Sequence, residues 1–202
     1  MIQIVHLNNL GGARAVILHR PHPNVQSLTR QLIAIGLDVV QVWPELDTDA
    51  IAANFIFFDA DMGHDDQFPW RAGEPPMPMI ALIGSEAPGR VEWALRAGAH
   101  AQLLKPVGDN GAFSALLVAR EAFHARSALE ANIADLRRRL DARQTVVRAV
   151  GLLTARGTSE TDAYARLRRM AMAWRVGFEE AAGRVVAQYG NQSGSDDQYK
   201  HD

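Results

Sequence analysis

The sequence has no cysteine, which excludes a disulfide framework and any thiolate metal site. It has no apolar run approaching the roughly 18–20 residues that cross a bilayer. The opening residues MIQIVHLNNLGGARAVIL lack a basic segment, a long apolar stretch and a small-residue cleavage site. No signal peptide is expected there, and the cytoplasm is the expected location. GxSxG, P-loop and GxGxxG motifs are also missing, and His6, His22, His100, His124 and His201 show no paired ligand spacing. The expectation is a protein that is not an enzyme, with no cofactor and no metal.

What is present is unevenly placed. From Arg137 to Arg184 there are eleven Arg and no Lys against five Asp and Glu, a local net charge of +6 in a chain of net −2. A basic end on an acidic body suits one end meeting a polyanion; a plain preference for arginine as surface cation gives the same count.

Between residues 13 and 106, short apolar runs alternate with helix-like stretches. The runs are Ala15–Leu18, Val39–Trp43, Phe55–Phe58, Met79–Ile83 and Ala101–Leu104. Such runs specify a parallel sheet covered by helices on both faces, and five of them fit the flavodoxin-like doubly wound order. Asn24 is a candidate cap for the first helix and Gly36 its stop. The proline- and glycine-rich stretch from Gly63 to Pro78 is expected to be a loop with at most a turn or two of helix.

After Pro106 the texture changes. Residues 110–153 contain no proline and form one long helix or two nearly continuous ones. Leu129, Ile133, Leu136 and Leu140 recur at spacings of 4, 3 and 4, which is either a coiled-coil dimer seam or a helix packed on its own domain. Thr158 or Ser159 starts a second helix and Arg175-Val176-Gly177 ends it. A third runs to about Gly190, and the polar tail after it is expected to be disordered. The fold class is α/β plus all-α.

Three side chains stand at strand ends: Asp59 after the third run, Ser85 after the fourth and Lys105 after the fifth. In a doubly wound sheet these ends converge on one crevice. Over residues 13–120 the pattern resembles the receiver domain of bacterial response regulators. Receivers hold Mg²⁺ with an acidic pair after the first strand, where this chain has His19-Arg20-Pro21. Asp59 is therefore expected not to take up phosphate, and Arg20 is expected to pair with it. The acidic stretch from Asp59 to Asp66 lacks any fixed metal-loop spacing and is expected to be an exposed loop.

Arg143, Val146, Ala149, Gly151, Ala163, Tyr164, Leu167 and Arg168 fall on a pattern that resembles the ANTAR domain, over about residues 136–189. The resemblance implies a three-helix module that binds RNA, with Arg143, Arg148, Ala149, Gly151, Tyr164, Arg168 and Arg169 as contacts. Val150 departs from the family, which usually has lysine there. Taken on their own, Ala149 and Ala163 suit either an approachable face or a packing seam, and Tyr164 either a stacking platform or core.

The whole arrangement comprises a terminal extension (1–12), a receiver-like domain (13–120), a stalk (121–142), the helical module and a tail (190–202). It resembles the antiterminators that control aliphatic-amidase operons. That resemblance implies a homodimer on hairpin leader RNA, restrained by a ligand-sensing partner similar to periplasmic binding proteins, with no membrane contact. A DNA-binding response regulator and an adaptor that binds only protein are the alternatives.

Overall fold

A computed structural model describes residues 10–155 and 157–190. Residues 1–9 of the expected extension and 191–202 of the expected tail, with His6 and His201, lie outside the described residues. The chain divides into two compact units between Ala128 and Leu129.

The first unit holds five parallel strands, β1 (Arg14–Leu18), β2 (Asp38–Val42), β3 (Phe55–Asp59), β4 (Met79–Ile83) and β5 (Ala101–Leu104), in the order β2-β1-β3-β4-β5. That order is flavodoxin-like. The central strands are buried throughout because side chains alternate between two covered faces. Ile17, Phe57, Ile80 and Leu82 meet Leu28 and Leu32 of α1 (Pro23–Ile35) and Leu116 of α3 (Ala112–Thr154). Leu18, Ile56, Phe58 and Ile83 face the other way, toward Ala94 and Ala97 of α2 (Pro88–Ala97).

The N-cap of α1 is His22, not Asn24. Its Nδ1 accepts from the Asn24 N–H, and Pro23 takes the first helical position, where a missing N–H costs nothing. Asn24 instead accepts from the Val107 N–H through Oδ1. Gly36, at φ 98°, ends α1.

Between β3 and β4 the helical content is one short 3₁₀ turn, Asp65–Gln67. Aromatic rings cover the sheet there: Phe68 stacks on Trp70 at 5.7 Å and meets Phe58 edge-on at 5.4 Å. Prolines and glycines in this stretch prevent a full helix, and flat rings supply the apolar cover instead.

The second unit is built from the latter part of α3, α4 (Glu160–Trp174) and α5 (Phe178–Gly190). Its core is small-residue packing: Val146, Ala149 and Leu153 of α3, Ala163 and Leu167 of α4, Ala181 and Val185 of α5. Ser159 caps α4, accepting from the Asp162 N–H. Arg175, at φ 55°, closes that helix in the left-handed region. Among the described residues no helix is long and apolar enough to cross a membrane.

Candidate functional site

The strand ends of the first unit gather Asp59, Lys105 and two side chains that sequence reasoning did not assign to the crevice. Asp59 is 2% exposed. Its Oδ1 accepts from Lys105 Nζ at 2.7 Å and from the Asp61 N–H at 3.0 Å. Its Oδ2 lies 3.2 Å from His19 Nε2, a contact without the alignment of a hydrogen bond. His19 donates from Nδ1 to the Arg20 carbonyl, 2.7 Å away, since a carbonyl only accepts. The expected pairing of Arg20 with Asp59 is therefore corrected: His19 extends β1 and turns inward, and Arg20, the next residue, is exposed.

Asp61 is also drawn out of the loop where sequence reasoning left it. Its two oxygens accept from the Gly84 and Ser85 N–H groups at 2.8 and 3.0 Å, and Lys105 Nζ lies 2.6 Å from Oδ2. Burial alone would raise the Asp61 carboxyl. Hydrogen bonds from Lys105, Ser85 and Gly84, with the lysine charge, outweigh it and hold the group below its ordinary 3.8. Ser85 joins the cluster through its backbone; its hydroxyl accepts from the Ala87 N–H in its own turn.

The Mg²⁺ of ordinary receivers does not fit these residues. A lysine ammonium already bridges the two carboxylates, and their remaining lone pairs face N–H donors or an imidazole. Among the described residues no group of three or more His, Asp or Glu is arranged to hold a metal.

In the second unit, a groove of about 690 Å³ lies beside the helical core, lined by Arg138, Arg139, Arg143, Val147, Tyr164 and Phe178 among others. Tyr164 is 42% exposed, neither core nor free, because its ring stacks on Phe178 at 5.9 Å and 18°. Arg138 and Arg139 are tied to Asp135 at 3.2 and 2.7 Å. Arg143 has no ion pair among the described residues.

The structure brings Arg143 and Tyr164 together here. It leaves Arg148 and Gly151 on the exposed surface of α3 and Arg168 and Arg169 on that of α4. Ala149 is corrected: it is fully buried, packed with Ala163 and Leu167, and offers no surface to a ligand. Val150 is buried too, so the family's usual lysine position points into this core. A Cβ at Gly151 would meet nothing within 4 Å, so the chain's own packing does not require glycine there. Phe178 and the paired arginines were missed by sequence reasoning; only its position just after the Gly177 break marked Phe178.

Leu129, Ile133, Leu136 and Leu140 lie on the surface of α3, from 39% to 60% exposed. They do not pack on their own unit.

A family described as "AmiR, N-terminal" matches residues 13–120, and the ANTAR domain matches residues 134–186. The transcriptional regulatory protein PdtaR of Mycobacterium tuberculosis is 36% identical over 114 residues, 56% of this chain and 56% of its own. The match thus spans about half the length of that relative. The aliphatic amidase regulator of Pseudomonas aeruginosa is 25% identical over 170 residues, 82% of this chain and 87% of its own. A response regulator receiver domain from Clostridium thermocellum is 18% identical, covering 58% of this chain and 98% of its own, at a TM-score of 0.41. PdtaR and the aliphatic amidase regulator are both regulators by name. With a family match over more than half its length, the chain belongs to the AmiR N-terminal family and carries an ANTAR domain.

Proposed function

We propose that the chain is a cytoplasmic, homodimeric antiterminator that binds hairpin leader RNA through its second unit. A ligand-sensing protein, similar to periplasmic binding proteins, controls it in place of phosphorylation. The observation that carries the RNA reading is the groove, where an unpaired arginine, Arg143, stands beside a half-exposed Tyr164 already stacked on one face. An unpaired base stacks on such a ring while guanidinium groups meet phosphates. The exposed Arg148, Arg168 and Arg169 extend the cationic surface, and bare Gly151 admits close approach.

The test is filter binding of the full chain to hairpin RNA and to duplex DNA across a salt series. Hairpin RNA is expected to bind more tightly. Arg168→Ala should flatten the slope of log K against log salt by roughly 0.7 per lost single-strand phosphate contact. Tyr164→Leu should cost about 1–3 kcal/mol of affinity, with only the small fall in melting temperature that loss of the Phe178 stacking brings. Preference for duplex DNA, or a Tyr164→Leu effect confined to melting, would defeat the reading.

Control without phosphorylation rests on the strand-end cluster, in which Lys105 already bridges Asp59 and Asp61. Acetyl phosphate with Mg²⁺ should leave the intact mass unchanged. A gain of one phosphoryl group that Asp59→Asn abolishes would sink it.

A further inference from the structure

The exposed stripe on α3 does not stop at Leu140. After Leu129, Ile133, Leu136 and Leu140, the next steps of 3 and 4 fall on Arg143 and Val147. Val147 is 67% exposed although its neighbour Val146 is in the core. Continued this far, the seam has Ile133, Leu140 and Val147 as one class of contact position and Leu129, Leu136 and Arg143 as the other. Ile133 and Val147 in the first class are β-branched and Leu129 and Leu136 in the second are leucine, a combination that favours two parallel strands.

In a parallel pair, like positions face each other across the two-fold axis. Leu129 then meets its copy, Leu136 its copy, and Arg143 its copy. Two guanidinium groups between the Leu140 and Val147 layers cannot be buried together, because they repel and arginine does not give up its proton. Arg143 has another place to go, since it also lines the groove beside Tyr164. Among the described residues Arg143 has no ion pair, whereas Arg138 and Arg139 are both held by Asp135.

We propose that Arg143 couples dimerisation to RNA binding, an inference that rests on the RNA and dimer readings above. An RNA phosphodiester in the groove draws each Arg143 away from the two-fold axis and removes the repulsion from the seam. RNA therefore tightens the dimer, and by linkage the dimer binds RNA more tightly than the monomer does. The arginine is a specificity device as well: the seam is left incomplete until the polyanion arrives.

The experiment is sedimentation equilibrium of the full chain, with and without a short RNA carrying a single hairpin, so that one RNA cannot bridge two sites. The hairpin should lower the dimer dissociation constant about tenfold, within the usual range of coupling between sites. Arg143→Leu should dimerise more tightly than wild type without RNA and show no further shift with it. Arg143→Gln removes the charge without adding apolar surface and should lose the RNA dependence too, whereas Arg143→Lys should keep it. A wild type that binds the hairpin and dimerises with the same constant in its presence and absence overturns the coupling alone. So does an Arg143→Leu variant that keeps the wild-type shift. A chain that stays monomeric under all conditions overturns the dimer reading and the coupling with it; a dimer that ignores the hairpin overturns the RNA reading and the coupling. A shift of the same size with inorganic phosphate alone marks a free-anion site and overturns the assignment to RNA.

Discussion

The two units handle charge in opposite ways. At the strand ends of the first, Asp59, Asp61, Lys105 and His19 face one another, and the two residues nearest the centre, His19 and Asp59, are each 2% exposed. In the second, Arg143, Arg148, Arg168 and Arg169 are exposed, and Arg143 stands beside aromatic rings. In the buried cluster the lysine and the backbone N–H groups already occupy most of the carboxylate lone pairs. Exposed cations keep their capacity at little cost, because water solvates them until a polyanion displaces it. On the function proposed above, the unit with the receiver-like fold holds its charges against one another, and the grooved surface of the second is the one offered to a polyanion.

The contrast is broken most forcefully at Lys105. Lys105→Met leaves two carboxylates without their cation, one of them almost wholly buried, and should destabilise the first unit by about 3–5 kcal/mol in urea unfolding. A loss under about 1 kcal/mol would mean that water, not the lysine, supports the cluster.

A smaller effect is expected in the second unit. Val150→Lys inserts the family's usual cation into the helical core, where Val150 is 6% exposed. It should cost about 1–3 kcal/mol of stability. Tighter RNA binding with an unchanged melting temperature would show instead that this position reaches the surface.

The smallest effect is in pH. Burial, and then the charge of Arg126, holds His100 below its ordinary 6.5, and its Nδ1 accepts from the Met79 N–H. The folded state resists protonation that the unfolded state accepts. This contribution is thus complete above 6.5 and is lost as pH falls from 6.5 through the depressed folded value. Melting temperature should decline over that window, and His100→Asn should decline less. Equal slopes for the two would remove His100 as the cause. Asp61 works lower on the scale, its contribution present above 3.8 and lost only as pH falls below it.

Much of the fold was legible because it rests on local chemistry. Phe55–Phe58 could only be a buried strand, Gly36 stops its helix at φ 98°, and Ser159 caps α4. The strand-end site was only half legible. Asp59 and Lys105 were visible as strand-end residues, but the inward turn of His19 depends on the register of β1, and alternation then sends Arg20 outward. Asp61 was not legible as a partner, because a bend just after β3, in which its N–H bonds Asp59 Oδ1, brings it back to the strand ends. In the second unit the arginines and Tyr164 were legible as types but not as partners. Whether Ala149 faced solvent or core depended on α4 and α5, which no local pattern on α3 reveals. The exposure of Val147 beside buried Val146, which lengthens the seam, has the same origin.

The chain holds two lysines, Lys105 and Lys200, so Lys105 is the sole side-chain amine among the described residues. It is 12% exposed and bridges two carboxylates. Its partial burial and two ion pairs should make it react faster with an amine-reactive label when the strand ends part. Its rate of modification, read by peptide mapping, is thus a built-in clock for the breathing of the first unit, and any partner that grips that unit should slow it.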